Sequence, residues 1–211
     1  RLAIGADVSG KLVAQPAAGQ PLRIGYLNSS GSVEIGAVNG TMQIGALTQS
    51  GGELTLITNN HANIACDQMQ VTNCTFAPKD GSVLTVGDLT VNGMLAGETI
   101  TVSGTLSGSS GTISAPLTLN GAQAQTISGT LQAKDLTLRA PKVTVDGSMT
   151  VTGTLSGGTT AVQKGKNLTL SGGTLLDKTF YGDLRAVNTT FSDQTIRGVL
   201  YAADGVKYTG S

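Results

Sequence analysis

The 211-residue chain carries 13 basic and 13 acidic residues, which cancel, and only 12% of its residues are charged. Recognition of DNA or RNA needs a clustered basic surface, so this balance argues against a nucleic-acid partner. Hydrophobic residues make up 39% of the sequence, too many for simple disorder, yet no apolar run approaches the roughly 20 residues of a membrane-spanning helix.

Residues 1–57 repeat an Ile-Gly step, which begins at Ile4, Ile24, Ile35 and Ile44. Three of these isoleucines, at positions 4, 24 and 44, are 20 residues apart, and Ile64 and Leu84 continue the spacing. The 30 glycines, together with many Val, Thr, Ser and Leu residues, suit short strands joined by tight corners. A period of this length is typical of a chain that coils repeatedly over itself.

Residues 58–80 interrupt this pattern and predict an irregular insertion, with a polar stretch from Thr58 to His61 followed by Cys66 and Cys74. In an extracellular protein, two cysteines so close together predict a local disulfide that holds a loop outside the stack. Two buried free thiols are one alternative. A metal site is another, although metal binding would need more ligands than the single histidine, His61, supplies.

Residues 81–175 contain the most regular repeat, in which an apolar residue, Thr, a second apolar residue and a small polar residue follow one another. Its copies are Leu89-Thr-Val91, Ile100-Thr-Val102, Leu117-Thr-Leu119, Leu136-Thr-Leu138, Val143-Thr-Val145, Met149-Thr-Val151 and Leu168-Thr-Leu170. Alternation of apolar and polar residues predicts strands with one buried face. The steps from Leu119 to Leu138 and from Val151 to Leu170 are each 19 residues, which again indicates a solenoid.

These observations predict an all-β fold, a right-handed parallel β-helix with about 20 residues per coil, as one unit over residues 1–211. A short strand cannot bury its apolar face alone, but coiling stacks each apolar position on its equivalent one turn later. A β-sandwich is the alternative. Its two sheets lie about 10 Å apart and would need larger side chains than this chain, with 3% aromatic residues, provides.

Residues 176–211 differ in composition, because five of the seven aromatic residues lie there among several charged ones. We expect that the helix continues here, or ends in a cap, with wider and better-filled coils. A binding face or a junction to a following domain is the alternative. Since the sequence begins at Arg1 without an initiator Met, we also expect it to continue into flanking domains of a longer chain.

The sequence offers little for catalysis. Polysaccharide-cleaving β-helix enzymes need clustered carboxylates, whereas Asp80, Asp88, Glu98, Asp135 and Asp146 are scattered. We therefore expect no enzyme, no cofactor and no bound metal. Outward Thr residues suggest an ice-binding surface as an alternative, with two polar ranks along one face formed by Thr90/Asn92, Thr101/Ser103, Thr118/Asn120, Thr144/Asp146, Thr150/Thr152 and Thr169/Ser171.

The repeats Gly87-Asp-Leu-Thr-Val-Asn-Gly93 and Gly165-Lys-Asn-Leu-Thr-Leu-Ser-Gly172 resemble those of filamentous haemagglutinin-type exoproteins. That group includes the large adhesins of two-partner secretion and the stick-like effectors of contact-dependent growth inhibition. The resemblance is good over residues 81–175 and loose elsewhere. The Asn-Pro-Asn motifs of the family's secretion domain are absent, which implies an internal segment.

The resemblance implies a secreted, cell-surface rod that binds a receptor protein or glycan on another cell through departures from the regular repeat. The binding residues expected on this basis are Asn59, His61, Asp67, Gln70, Phe76, Lys79, Phe180, Tyr181, Phe191, Tyr201 and Tyr208. A passive stalk, such as a segment of an autotransporter passenger, and a polysaccharide-active enzyme remain alternatives.

Overall fold

A computed structural model of the chain describes residues 4–8, 12–13, 22–37, 42–58, 63–77, 83–157, 160–162 and 166–210. Within these ranges the secondary structure is strands, with no helix. The strands pair in parallel from one coil to the next and form a β-solenoid in which equivalent residues are roughly 19 positions apart. The predicted parallel β-helix is confirmed.

The strands of the first five coils are β1 (Ile4–Val8), β2 (Leu12–Val13), β3 (Leu22–Ser29), β4 (Val33–Ala37), β5 (Met42–Gln49), β6 (Glu53–Thr58), β7 (Asn63–Phe76) and β8 (Val83–Gly97). The next are β9 (Ile100–Val102), β10 (Leu106–Ile113), β11 (Leu117–Leu119), β12 (Gln125–Ala133), β13 (Leu136–Leu138), β14 (Val143–Val151), β15 (Thr154–Gly157) and β16 (Thr160–Val162). The last are β17 (Asn167–Ser171), β18 (Thr174–Leu175), β19 (Thr179–Tyr181), β20 (Leu184–Val187), β21 (Thr190–Ser192), β22 (Thr195–Arg197), β23 (Leu200–Ala202) and β24 (Lys207–Thr209).

Each coil contributes to three faces of the solenoid, and the strand register defines them. Face 1 aligns the apolar residues Met42, Ile64, Leu84, Ile100, Leu117, Leu136 and Leu155. Face 2 aligns Leu27, Leu47, Met69, Leu89, Leu106, Ile127 and Val145. Face 3 aligns Leu95, Ile113, Ala133, Val151, Leu170 and Ala186. The long strands β7 and β8 bend through all three faces.

The interior is a continuous column of aliphatic side chains, because on each of the three faces an apolar residue of one coil lies on its equivalent in the neighbouring coils. The aligned residues of all three faces are buried. Strands of adjacent coils are about 4.8 Å apart, so each side chain is in van der Waals contact with its counterparts. Closely spaced coils also require glycine at some corners: a Cβ at Gly129 (φ +81°) would lie 1.9 Å from the carbonyl oxygen of Gly108.

Residues 58–80 were expected to form an irregular insertion, but their described part belongs to the stack. Residues 63–76 form the single strand β7, which pairs with β5 on one side and β8 on the other. The register explains why the pattern is hidden in the sequence. Met42 pairs with Ile64, 22 positions later, so Ile44 pairs with Cys66 and the expected 20-residue step from Ile44 to Ile64 is wrong.

The predicted disulfide between Cys66 and Cys74 is also wrong, since both cysteines are free and buried. Cys66 lies on face 1 in register with Ile44 and Val86, whereas Cys74 lies on face 3 in register with Leu95. The two side chains replace aliphatic residues at separate positions of the core. Desolvation by burial raises the pKa of the Cys66 thiol to about 12 and that of the Cys74 thiol to about 11.

The C-terminal segment continues the solenoid with a shorter step. Leu184 pairs with Leu200 and Phe180 with Ile196, each 16 positions later. Phe180 and Phe191 fill the interior of these coils. The expectation that the coils become wider here is wrong, because a step of 16 residues is shorter than the roughly 19 residues of the preceding coils.

Candidate functional site

The described surface carries a polar groove on the outer side of face 2. Its lining consists of Ala46, Thr48, Gln68, Gln70, Asp88, Thr90 and Thr105, over the buried side chains of Leu47 and Met69, and we call it the polar groove. Its volume is about 360 Å³. This is within the range of small-molecule sites in proteins, about 300–1,000 Å³.

Two parallel columns of side chains form the polar groove, because outward positions alternate with inward ones along each strand. One column aligns Ala46, Gln68 and Asp88 from successive coils, and Thr105 follows on the next coil. The second column aligns Thr48, Gln70, Thr90 and Ser107. The methyl side chain of Ala46 is the smallest in the first column, where the position before it is occupied by Tyr26, which is 49% exposed.

The glutamines of the polar groove have no partner among the described residues. The side chains of Gln68 and Gln70 are exposed and make no hydrogen bond there. Neighbouring groups are fixed: Asp88 Oδ1 accepts hydrogen bonds from the backbone nitrogen and the hydroxyl of Thr105, at 2.7 and 2.8 Å. The hydroxyls of Thr90 and Ser107 are 2.9 Å apart and form one hydrogen bond. The groove therefore combines two free amides with a carboxylate held in one orientation.

Of the binding residues expected in the interrupted stretch, the structure places Gln70 in the polar groove. Asp67 is exposed, and its carboxylate accepts a hydrogen bond from Gln43 Nε2 at 3.3 Å. Asn59, His61 and Lys79 lie outside the described residues.

Three aromatic residues were wrongly expected to contact a partner. Phe76 and Phe180 are fully buried and Phe191 is 3% exposed, so all three belong to the core. Each occupies an inward, buried position of its strand.

The other aromatic candidates form an exposed surface on the last coils. Tyr181, Tyr201 and Tyr208 are 48%, 57% and 65% exposed. The ring of Tyr208 stacks on Phe191 with a centroid distance of 5.7 Å, and Tyr201 is in register with exposed Arg185. A depression beside Arg185 has a volume of only about 20 Å³. The structure thus separates this terminal tyrosine surface from the polar groove by many coils.

The threonines expected to form two ranks on one face are distributed over all three. Thr101 and Thr118 lie on face 1, Thr90 and Thr144 on face 2, and Thr150 and Thr169 on face 3. The local repeat is the same on every face, so sequence alone does not tell which copies align. One real rank exists on face 1, where Thr85, Thr101, Thr118, Thr137 and Ser156 are in register.

Most groove residues were not identified as binding residues from the sequence. Gln68 and Asp88 are 20 positions apart, so a 20-residue repeat predicts that they are neighbours on successive coils. Ala46, however, precedes Gln68 by 22 positions. The change in coil length between β5 and β7 hides the column.

Two further properties concern the described part of the chain. No cluster of three or more His, Cys, Asp or Glu side chains there is suited to hold a metal ion. The same residues include no helix of the length and apolar character needed to cross a membrane.

Comparison with protein-family models, with curated proteins and with solved structures finds no match to this chain.

Proposed function

We propose that this chain is a rod-shaped segment of a secreted bacterial surface exoprotein that binds a receptor on another cell. The β-solenoid and the repeats that resemble those of haemagglutinin-type exoproteins support this proposal. A solenoid extends by one strand spacing, about 4.8 Å, with each coil and so suits a part that spans a distance.

The observation that carries the receptor-binding part of the proposal is the polar groove. Polar side chains such as Asp88 and Asp135 make hydrogen bonds to the neighbouring coil at the corners of the solenoid. Gln68 and Gln70 are not used in this way, and they line a concavity large enough for a ligand. Uncommitted donors and acceptors that converge on a concave surface are the usual features of a binding site.

Binding of the fluorescently labelled chain to intact bacterial and animal cells tests the proposal. The variant combines Gln68→Ala with Gln70→Ala, and the matched control is Gln132→Ala, an exposed glutamine on face 3. We expect binding by the wild-type chain and by the control, and a loss of about 10- to 100-fold by the double variant, because each lost hydrogen bond contributes about 0.5–1.5 kcal/mol. A passive stalk would bind no cell, and a rod with its contact elsewhere would bind equally well with both glutamines replaced; either result contradicts the proposal.

A further inference from the structure

We infer that the polar groove binds an uncharged glycan, whose sugar units lie across the coils from Ala46 to Thr105. This inference rests on the proposed receptor-binding function and names the chemical class of the receptor. It follows from the hydrogen-bonding groups, the charge and the geometry of the groove.

The hydrogen-bonding groups match sugar hydroxyls. A hydroxyl both donates and accepts, and neighbouring hydroxyls on a sugar ring present both functions side by side. The amides of Gln68 and Gln70 each offer two N–H donors and one carbonyl acceptor, and no described residue engages them. Asp88 adds an acceptor that is already oriented: Thr105 holds Oδ1 with two hydrogen bonds, whereas Oδ2 has no donor among the described residues.

The charge of the polar groove selects against acidic ligands. Asp88 is the one ionisable side chain in its lining, and neither Lys, Arg nor His is among the lining residues. A carboxylate, sulfate or phosphate group would meet the Asp88 carboxylate without a cation to compensate, which costs binding energy. The nearby exposed acid, Asp67, adds to this effect. An uncharged glycan meets no such penalty.

The geometry favours an extended chain of sugars over a single one. Polar pairs recur on successive coils, Gln68 with Gln70 and Asp88 with Thr90, at the strand spacing of about 4.8 Å. This spacing is of the same order as the width of a sugar ring, so consecutive rings are matched by consecutive coils. Tyr26, half-exposed in the same column, offers an aromatic surface for the apolar side of a further ring.

Titration of the 211-residue chain with defined oligosaccharides tests the inference. The neutral probes are tetrasaccharides of glucose, mannose, galactose and N-acetylglucosamine, and the acidic probes are a tetrasaccharide of galacturonic acid and a sulfated heparin tetrasaccharide. We expect at least one neutral probe to bind and the acidic probes not to bind. Gln68→Ala and Gln70→Ala should each weaken that binding about three- to tenfold, whereas Gln132→Ala should leave it unchanged.

Two results would overturn the inference. One is that no neutral probe binds while cell binding still depends on Gln68 and Gln70, which identifies a protein or charged receptor and leaves the proposed function in place. The other is that a neutral probe binds equally well to the groove variants. If, instead, the groove binds a neutral probe but the chain binds no cell, the inference is supported and the proposed function fails.

Discussion

Asp88 and Thr105 are 17 positions apart in sequence and are joined by two hydrogen bonds to a single carboxylate oxygen. The same pair of bonds connects Asp135 Oδ1 with the backbone nitrogen and hydroxyl of Thr154, at 2.8 and 2.6 Å. Asp183 Oδ1 likewise accepts the backbone N–H of Val199 at 2.8 Å. Each of these carboxylates joins one coil to the next at a corner, and we call this arrangement a clamp. Asp88 and Asp135 are two of the acids that look scattered in the sequence.

Replacing Asp135 with Ala should destabilise the chain by about 1–2 kcal/mol, because the backbone N–H and the hydroxyl of Thr154 lose a charged acceptor. The matched control is Asp146→Ala. Its carboxylate makes an exposed ion pair with Lys166 at 3.6 Å, which contributes less than about 1 kcal/mol. Urea denaturation measures both free energies of unfolding. If Asp146→Ala lowered the free energy of unfolding more than Asp135→Ala, the two hydrogen bonds to Asp135 would not have the stabilising role assigned to them.

The contribution of Asp135 should also depend on pH. The hydrogen bond from the Thr154 hydroxyl lowers the pKa of Asp135 below its ordinary value. Since the folded state holds this proton more weakly than the unfolded chain does, the stabilisation is complete above the unfolded pKa, about 3.9, and is lost as pH falls through the lower folded value. The difference in unfolding free energy between wild type and Asp135→Ala should therefore shrink between pH 6 and pH 2. A difference that stays constant over this range contradicts the assigned role.

The two cysteines should behave as protected thiols. Burial raises both pKa values to about 11–12, so few thiolates form at pH 8 and the thiols are inaccessible. Ellman's reagent should react with fewer than one thiol per chain in the native state and with two in denaturant, and reducing agent should leave the Tm unchanged. A lowered Tm under reduction, or a mass two daltons below that of the dithiol, would show that the cysteines form a disulfide and would contradict this prediction.

Two buried glutamines hold corners of the solenoid and should differ in importance. Gln125 uses both ends of its amide: Oε1 accepts the N–H of Gly121 at 2.7 Å, and Nε2 donates to the carbonyls of Val102 and Gly104. Gln49 Nε2 donates to the carbonyls of Gly31 and Gly51, but no residue that the structure describes donates a hydrogen bond to its Oε1. Gln125→Met should cost about 1–3 kcal/mol more than Gln49→Met, because a buried unpaired acceptor already weakens the native state at Gln49. Thermal unfolding of the two variants compares them, and equal losses contradict the difference.

The repeat predicted the fold because it specifies which residues face inward. Leu117-Thr-Leu119 and Leu136-Thr-Leu138 align residue for residue, as their 19-residue spacing indicates. The face to which each copy belongs was not predictable, since Thr90 and Thr101 stand in the same local motif but on different faces. The apolar-Thr-apolar motif specifies a strand with one buried side, and such strands occur on all three faces.

The candidate site was predictable only in part, for a related reason. Gln70 was identified from its position in the unusual stretch, but its partners in the polar groove come from coils of different length: 22 positions separate Thr48 from Gln70, and 20 separate Gln70 from Thr90. Phe76 shows the opposite error, because an aromatic residue in a polar stretch suggested a contact, whereas the strand places it in the core.

The central claim is that recognition takes place at the polar groove, and the side-chain amide resonances of the glutamines test it most directly. The isotope-labelled chain is titrated with the neutral tetrasaccharide that binds most tightly and followed by NMR. We predict that the amide groups of Gln68 and Gln70 shift together with the backbone of Asp88 and Thr90, while Gln132 does not change. Shifts confined to the surface around Tyr201 and Tyr208, with both groove glutamines unaffected, would contradict the claim.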